Sequence, residues 1–142
     1  MKYPINPYRQ GDWLIPYGKT QPDRVEFISY QKDMSGVWCS MTFRNDPNTY
    51  YYPGHCNPVP ITRDILLKNG FCDGYGYFLN CKNYDGQEVP IFLFYVDIPE
   101  RNILLHIKDS SGYTVLRLMN CNYVHQLQHA LMLLGVEKEI EL

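Results

Sequence analysis

Apolar and polar residues alternate with a period of two along much of this chain, which is the spacing of a half-buried strand. The pattern is cleanest over 36–43, where Val37, Cys39, Met41 and Phe43 fall on one side and Trp38, Ser40 and Thr42 on the other. Residues 12–17 and 25–30 read as further short strands. Asp33-Met34-Ser35-Gly36, Asn45-Asp46-Pro47-Asn48 and Pro53-Gly54 carry the residue types of tight turns. Short strands joined by such turns predict a small, strongly curved β unit of SH3-like type over residues 1–58.

The pattern changes after Asn57-Pro58-Val59-Pro60, which is extended because each proline restricts the residue before it. A short helix follows. Thr62 is its expected N-cap, Asp64 complements the helix dipole, and Ile61 faces Leu66 as a hydrophobic staple. Asn69-Gly70 is the left-handed stop, with Phe71 folding back. Strands are then expected over 75–82, 89–96, 103–108 and 113–119, with turns at 84–86, 99–101 and 110–112. The run Ile91-Phe92-Leu93-Phe94-Tyr95-Val96 is apolar on both faces and so belongs at the centre of its sheet. Asp73-Gly74-Tyr75-Gly76 reads as a turn entering the first of these strands.

From Tyr123 the period becomes helical. At 100° per residue, Tyr123, Val124, Leu127, Ala130, Leu131 and Leu134 share one face, and His125, His129 and Met132 lie opposite. This predicts a helix capped by Asn122 or Asn120 and stopped at Gly135, with its histidines outward. The tail 136–142 alternates and is expected to add an edge strand or trail in solvent. The resulting fold class is α+β. A small N-terminal β unit (1–58) precedes a short helix and a four-stranded antiparallel meander covered by a C-terminal helix (59–142), packed as one compact domain.

Composition narrows the function classes. A chain of 142 residues with 45% hydrophobic and 20% charged residues has enough apolar surface for a packed core and is not disordered. The net charge of −2 has no block of like sign, which argues against duplex nucleic acid and anionic membrane as partners. The N-terminus lacks a signal-peptide core and no run is long enough to span a bilayer, so a cytoplasmic location is expected. Five widely spaced cysteines (39, 56, 72, 81 and 121) without a Cys-x-x-Cys pair suit packed free thiols in a reducing compartment. The 13 tyrosines point to sheet and to contact surface.

Three segments carry a resemblance. They are Arg9-Gln10-Gly11-Asp12-Trp13-Leu14, the run from Val59 through Ile61-Thr62 to Asn69-Gly70-Phe71, and Tyr123-Val124-His125-Gln126-Leu127-Gln128. Their order resembles that of uncharacterised small proteins of anaerobic gut bacteria and their phages or mobile elements. In those proteins an Arg-x-Gly-Asn-x-Val opening precedes a Pro-Ile-x-Leu-Thr-type helix and a closing Tyr-Val-His-Gln-Leu-Gln helix. Asp12 stands here in place of the opening asparagine. The resemblance implies a shared fold and no reaction, so it assigns no catalytic residue.

Candidate chemistry is sparse. Cys121, His125 and His129 are spaced i, i+4 and i+8, a spacing that puts two metal-ligating types on one helical stripe, but no carboxylate accompanies them. No metal and no cofactor is expected. His55-Cys56 pairs a base with a nucleophile as neighbours, without a surrounding signature. Tyr50-Tyr51-Tyr52, in a loop bounded by proline and glycine, cannot all be buried. With Trp38, Arg44 and Trp13 they would line a groove for a peptide, a nucleotide or a single strand. No P-loop, dinucleotide fingerprint, nucleophile elbow or zinc-helix motif occurs.

The expected function is therefore non-enzymatic binding of a protein or small ligand, in a phage or mobile-element protein, through Trp38, Arg44, Tyr50, Tyr51, Tyr52, His125 and His129. A single-stranded nucleic-acid or nucleotide-binding module, countering host defence, is the first alternative; a small Cys/His-dependent hydrolase is the second. A basic patch of Arg9, Lys19, Arg24 and Lys32 would favour the former.

Overall fold

The computed structural model describes residues 6–74, 76–97, 102–108, 114–118 and 121–142. The fold is α+β, with two antiparallel sheets and two α-helices. The chain divides into two compact units, Met1–Val59 and Pro60–Leu142. The turns expected at 99–101 and 110–112, and the alternative cap Asn120, lie outside the described residues.

In the first unit, β1 (Trp13–Ile15), β2 (Asp23–Asp33), β3 (Gly36–Phe43), β4 (Asp46–Tyr51) and β5 (Asn57–Pro58) form one sheet of order β4-β3-β2-β1-β5. Four strands run as a meander. A 3₁₀ turn, Pro53–His55, then carries the chain to β5, which pairs with β1 through Leu14↔Pro58. In β3, Cys39, Met41 and Phe43 are buried and Trp38 is exposed, as the alternation predicts, but Thr42, expected outward, is buried and Val37, expected inward, is half-buried. Met41 and Phe43 pack with Leu14, Val25, Tyr51 and Cys56, flanked by Tyr8 and Ile28.

Two turn expectations are corrected. The β3–β4 connection is the pair Arg44-Asn45, and Asp46-Pro47-Asn48 lies within β4. The sheet tolerates Pro47 because β4 is an edge strand, where a missing N–H breaks no ladder bond on the open side. Tyr50 and Tyr51 are accordingly strand residues, and Tyr52 follows the strand directly.

The opening segment is a braced turn. The Asp12 carboxylate accepts the Arg9 amide at 2.8 Å, and the Asp12 amide bonds back to the Arg9 carbonyl at 3.1 Å. Gly11 sits at φ 90°, a backbone conformation that costs glycine nothing, and its amide reaches Val25.

In the second unit, α1 (Arg63–Lys68) begins at Thr62, whose hydroxyl accepts the Ile65 amide at 3.3 Å. It ends at Asn69 with Gly70 at φ 88°, and the Phe71 amide bonds to the Leu66 carbonyl. Leu66 and Phe71 are both buried. The sheet has five strands rather than four: β6 (Cys72–Gly74), β7 (Gly76–Lys82), β8 (Glu88–Asp97), β9 (Asn102–Lys108) and β10 (Thr114–Leu118), in the order β10-β9-β8-β7-β6. The segment expected as a turn supplies β6, an edge strand pairing Cys72↔Phe78 and Asp73↔Tyr77. β8 is the middle strand, and its Ile91 and Leu93 are fully buried.

The helix α2 (Val124–Leu133) starts from Tyr123 in extended conformation, not from Asn122. The Gln126 side chain reaches back and accepts the amides of Asn122 (2.9 Å) and Tyr123 (3.1 Å), so the third helical residue supplies the cap. The helix stops at Gly135, at φ 69°, whose added Cβ would stand 2.8 Å from the Tyr84 ring. The tail neither forms an edge strand nor trails free. Asn69 clamps it by donating to the Glu141 carbonyl at 2.7 Å and accepting the Glu141 amide at 2.8 Å, and Ile140 is buried.

Candidate functional site

Strand parity distributes the three tyrosines. Tyr51 pairs with Met41 and turns inward, where it meets Phe43 edge-on with ring centroids 5.3 Å apart. Its hydroxyl donates to Asp46 at 2.8 Å, which raises the phenol's pKa and lowers that of the carboxyl. Tyr50 and Tyr52 point outward and are exposed.

Four exposed rings then form a continuous ridge. Trp38, at the start of β3, lies 6.3 Å from Tyr52; Tyr52 lies 5.7 Å from His55 in the 3₁₀ turn; His55 lies 5.5 Å from Tyr17, just past β1. Tyr17 is 67% exposed, Tyr52 51% and Trp38 44%. The Trp38 end opens into a groove of about 560 Å³, lined by Gln31, Asp33, Trp38, Ser40 and Tyr50–Tyr52.

Asp33 fixes this end of the ridge. Its carboxylate accepts the Ser35 hydroxyl (2.6 Å), the Ser35 and Gly36 amides (2.8 and 3.1 Å) and the Trp38 indole N–H (2.7 Å). Hydrogen bonding, from the Ser35 hydroxyl above all, holds the carboxyl below the ordinary range and keeps it ionised. The same bonds set the Trp38 ring at a fixed angle over the hairpin.

Trp38, Tyr50 and Tyr52 thus come together, with Tyr51 beneath them. Arg44 does not join them. It lies past the opposite end of β3, six residues from Trp38, a separation of roughly 20 Å in an extended strand, and pairs with Glu26 at 3.7 Å. Trp13 is covered by the Arg24 guanidinium, 4.8 Å from its ring centre, and Arg24 is buried, which removes it from any exposed basic patch. Tyr17 is the ridge member that no local motif marks, and His55 stands out in the sequence only as the neighbour of Cys56.

The C-terminal histidines belong to the other unit, and their expected outward position is corrected for His125. It is only 7% exposed. The helical wheel counts one covering surface, but this residue lies in the first turn, where the incoming chain adds another. Tyr123 stacks on His125 at 6.0 Å and 14°, and His129 closes on it edge-on at 5.6 Å. His129 is half-buried, and Cys121 is buried ahead of the helix. Among the described residues, no group of three or more His, Cys, Asp and Glu side chains is placed to hold a metal ion.

The thiols carry the opposite of nucleophile activation. Cys56, beside His55, is buried, its pKa is raised by desolvation, and its thiol donates weakly to the Tyr52 carbonyl at 3.6 Å. Burial pushes Cys121 up to about 12 and raises Cys39 and Cys81 as well. Raising a thiol's pKa lowers its thiolate fraction at a given pH, to about one part in ten thousand at pH 8 for a value near 12. All five cysteines are free, and Cys72 is exposed. A thiol-specific disulfide reagent at pH 8 is therefore expected to modify Cys72 first and Cys121 only on unfolding. Peptide mass spectrometry would refute this assignment if Cys56 or Cys121 reacted as fast as Cys72.

Among the described residues, no helix is long and apolar enough to cross a membrane. No protein-family model, no curated protein and no solved structure matches the chain.

Proposed function

We propose that this protein is a non-enzymatic interaction module whose first unit, a small SH3-like barrel, binds its ligand on the ridge Trp38–Tyr52–His55–Tyr17. The strand order β4-β3-β2-β1-β5, with a 3₁₀ turn before the returning strand, supports the barrel reading. The observation that carries the function is the ridge itself. Four rings from three segments touch one after another and stay exposed, although each would gain from burial. Exposed apolar surface gathered in one place marks a contact site, and rigid aromatic rings offer large contact area at low entropic cost.

The raised pKa of Cys56 weighs against a hydrolase built on His55-Cys56. The free thiols suit a reducing compartment, in keeping with a cytoplasmic protein of a phage or mobile element.

Selection from a displayed random nonapeptide library on the full-length protein tests this reading. Enriched peptides are expected to lose at least about tenfold in affinity for the Trp38→Ala/Tyr52→Ala variant, since buried aromatic anchors dominate such interfaces. Both side chains are exposed, so the variant keeps its circular dichroism spectrum and melting midpoint. Undiminished binding by that variant would refute the ridge as the site. Salt-sensitive retention of oligothymidylate in place of peptides would transfer the ridge to single-stranded nucleic acid.

A further inference from the structure

We infer that the ligand of this ridge is an extended peptide segment bearing a basic side chain, arginine above all, which seats between Trp38 and Tyr52 beside Asp33. The inference rests on the interaction reading above and names its ligand class.

The seat is built from three observations. Trp38 and Tyr52 are tilted by 58° with centroids 6.3 Å apart, which makes an open V rather than a stack. A cation above the mouth of that V can stand within about 6 Å of both centroids, the range in which ring quadrupoles attract positive charge. Among the described residues, Asp33 is the one charged residue lining the adjoining groove, and its neighbours there are Gln31, Ser40, Trp38 and tyrosines. A groove whose formal charge is a single anion complements a cation and repels a phosphate backbone. A guanidinium suits the place better than an ammonium, because its plane stacks on aromatic faces while its edge donates to a carboxylate.

The spacing of the ridge comes close to, and falls slightly short of, the repeat of an extended backbone. Its ring-to-ring steps are 6.3, 5.7 and 5.5 Å. In a strand, side chains on one face recur every second residue, at roughly 6.4–6.8 Å for a rise of 3.2–3.4 Å per residue. Alternate residues of such a peptide meet Tyr52, His55 and Tyr17 in turn as the chain leaves the cation seat.

Two pools of degenerate nonapeptides test this, one with arginine fixed at the centre and one with its neutral isostere citrulline. Each is passed over immobilised full-length protein in low salt, and the retained fraction is measured. The arginine pool is expected to be retained at least about fivefold more, given the strength of a desolvated cation–ring contact. The preference should shrink as salt is raised. It should fall below about twofold in Asp33→Asn, which removes the charge, keeps an acceptor for the Ser35 and Gly36 amides and gives up the bond from the Trp38 indole, while retention of the citrulline pool stays as in the unaltered protein if the ridge keeps its shape. Equal retention of the two pools, both abolished in Trp38→Ala/Tyr52→Ala, overturns the cation seat and leaves the ridge standing. Retention of neither pool by the unaltered protein overturns both. An arginine preference that survives Asp33→Asn overturns the assignment of Asp33, and preference for a centrally glutamate-bearing pool overturns the charge argument altogether.

Discussion

Phe43→Ala is expected to destabilise the protein by about 3–5 kcal/mol, the range for removing a large aromatic side chain from a packed core. Phe43 is fully buried and meets Tyr51 edge-on, so truncation loses transfer free energy, opens a cavity among Leu14, Val25 and Met41, and removes an aromatic pair. That pair adds roughly 0.5–1.5 kcal/mol beyond its buried area. Total stabilities of natural domains run to about 5–15 kcal/mol, so the variant should lose roughly a fifth or more of its margin. Urea unfolding followed by near-ultraviolet circular dichroism reads this directly, and a cost below about 1 kcal/mol would contradict the burial assigned to the side chain. The effect also reaches the ridge. Tyr51 stands in β4 between two outward tyrosines, and its packing on Phe43 sets the pitch of the strand that presents them. Peptide binding should therefore weaken in Phe43→Ala even where the protein is still folded, although Phe43 touches no ligand.

The contrast between β3 and the ridge shows how far residue pattern alone reaches. In β3 the period of two reports which side chains go inward, because inward and outward follow from the pleat and from nothing else. Cys39, Met41 and Phe43 obey it, and so do Trp38 and Ser40, whereas Thr42 is buried at the strand's end although the pleat places it with them. The same rule applies to Tyr50-Tyr51-Tyr52 once they are placed in a strand. The turn-like composition of Asn45-Asp46-Pro47-Asn48 conceals that strand, because an edge strand admits the proline that a central one excludes. The five-stranded sheet of the second unit was obscured in a similar way, since the glycines flanking Tyr75 read as a turn while Cys72–Gly74 pairs as an edge. The ridge is a different matter. Tyr17, Trp38 and the turn that carries both Tyr52 and His55 lie in three segments, brought together by the pairing of β4 with β3 and by the return of β5 to β1. No period or spacing encodes a neighbourhood made by topology. Arg44 illustrates the converse: near Tyr50 in sequence, it is carried to the far end of β3 by the strand's own length.

Leu127→Ala is expected to cost about 2–5 kcal/mol, while Leu133→Ala, one and a half turns further along the same helix, should change stability by less than about 0.5 kcal/mol. Leu127 is 1% exposed and Leu133 is 69% exposed, so the pair isolates burial from helix propensity, which the same leucine-to-alanine change leaves equal at both sites. Equal costs would mean that α2 is rotated from the position described. The comparison bears on the segment from Tyr123 to Gln128. Five of its six positions have a physical demand that does not involve a ligand. Tyr123 stacks on His125 and pairs with Pro60 across an isolated bridge. Val124 and Leu127 are buried, and His125 is buried with them. Gln126 caps the first turn by accepting two amides. A segment so constrained by its own fold will resist substitution whether or not it binds anything. His125→Glu should therefore destabilise α2, by forcing a charge into a buried site, without altering the affinity of peptides for a ridge that the first unit builds from its own strands.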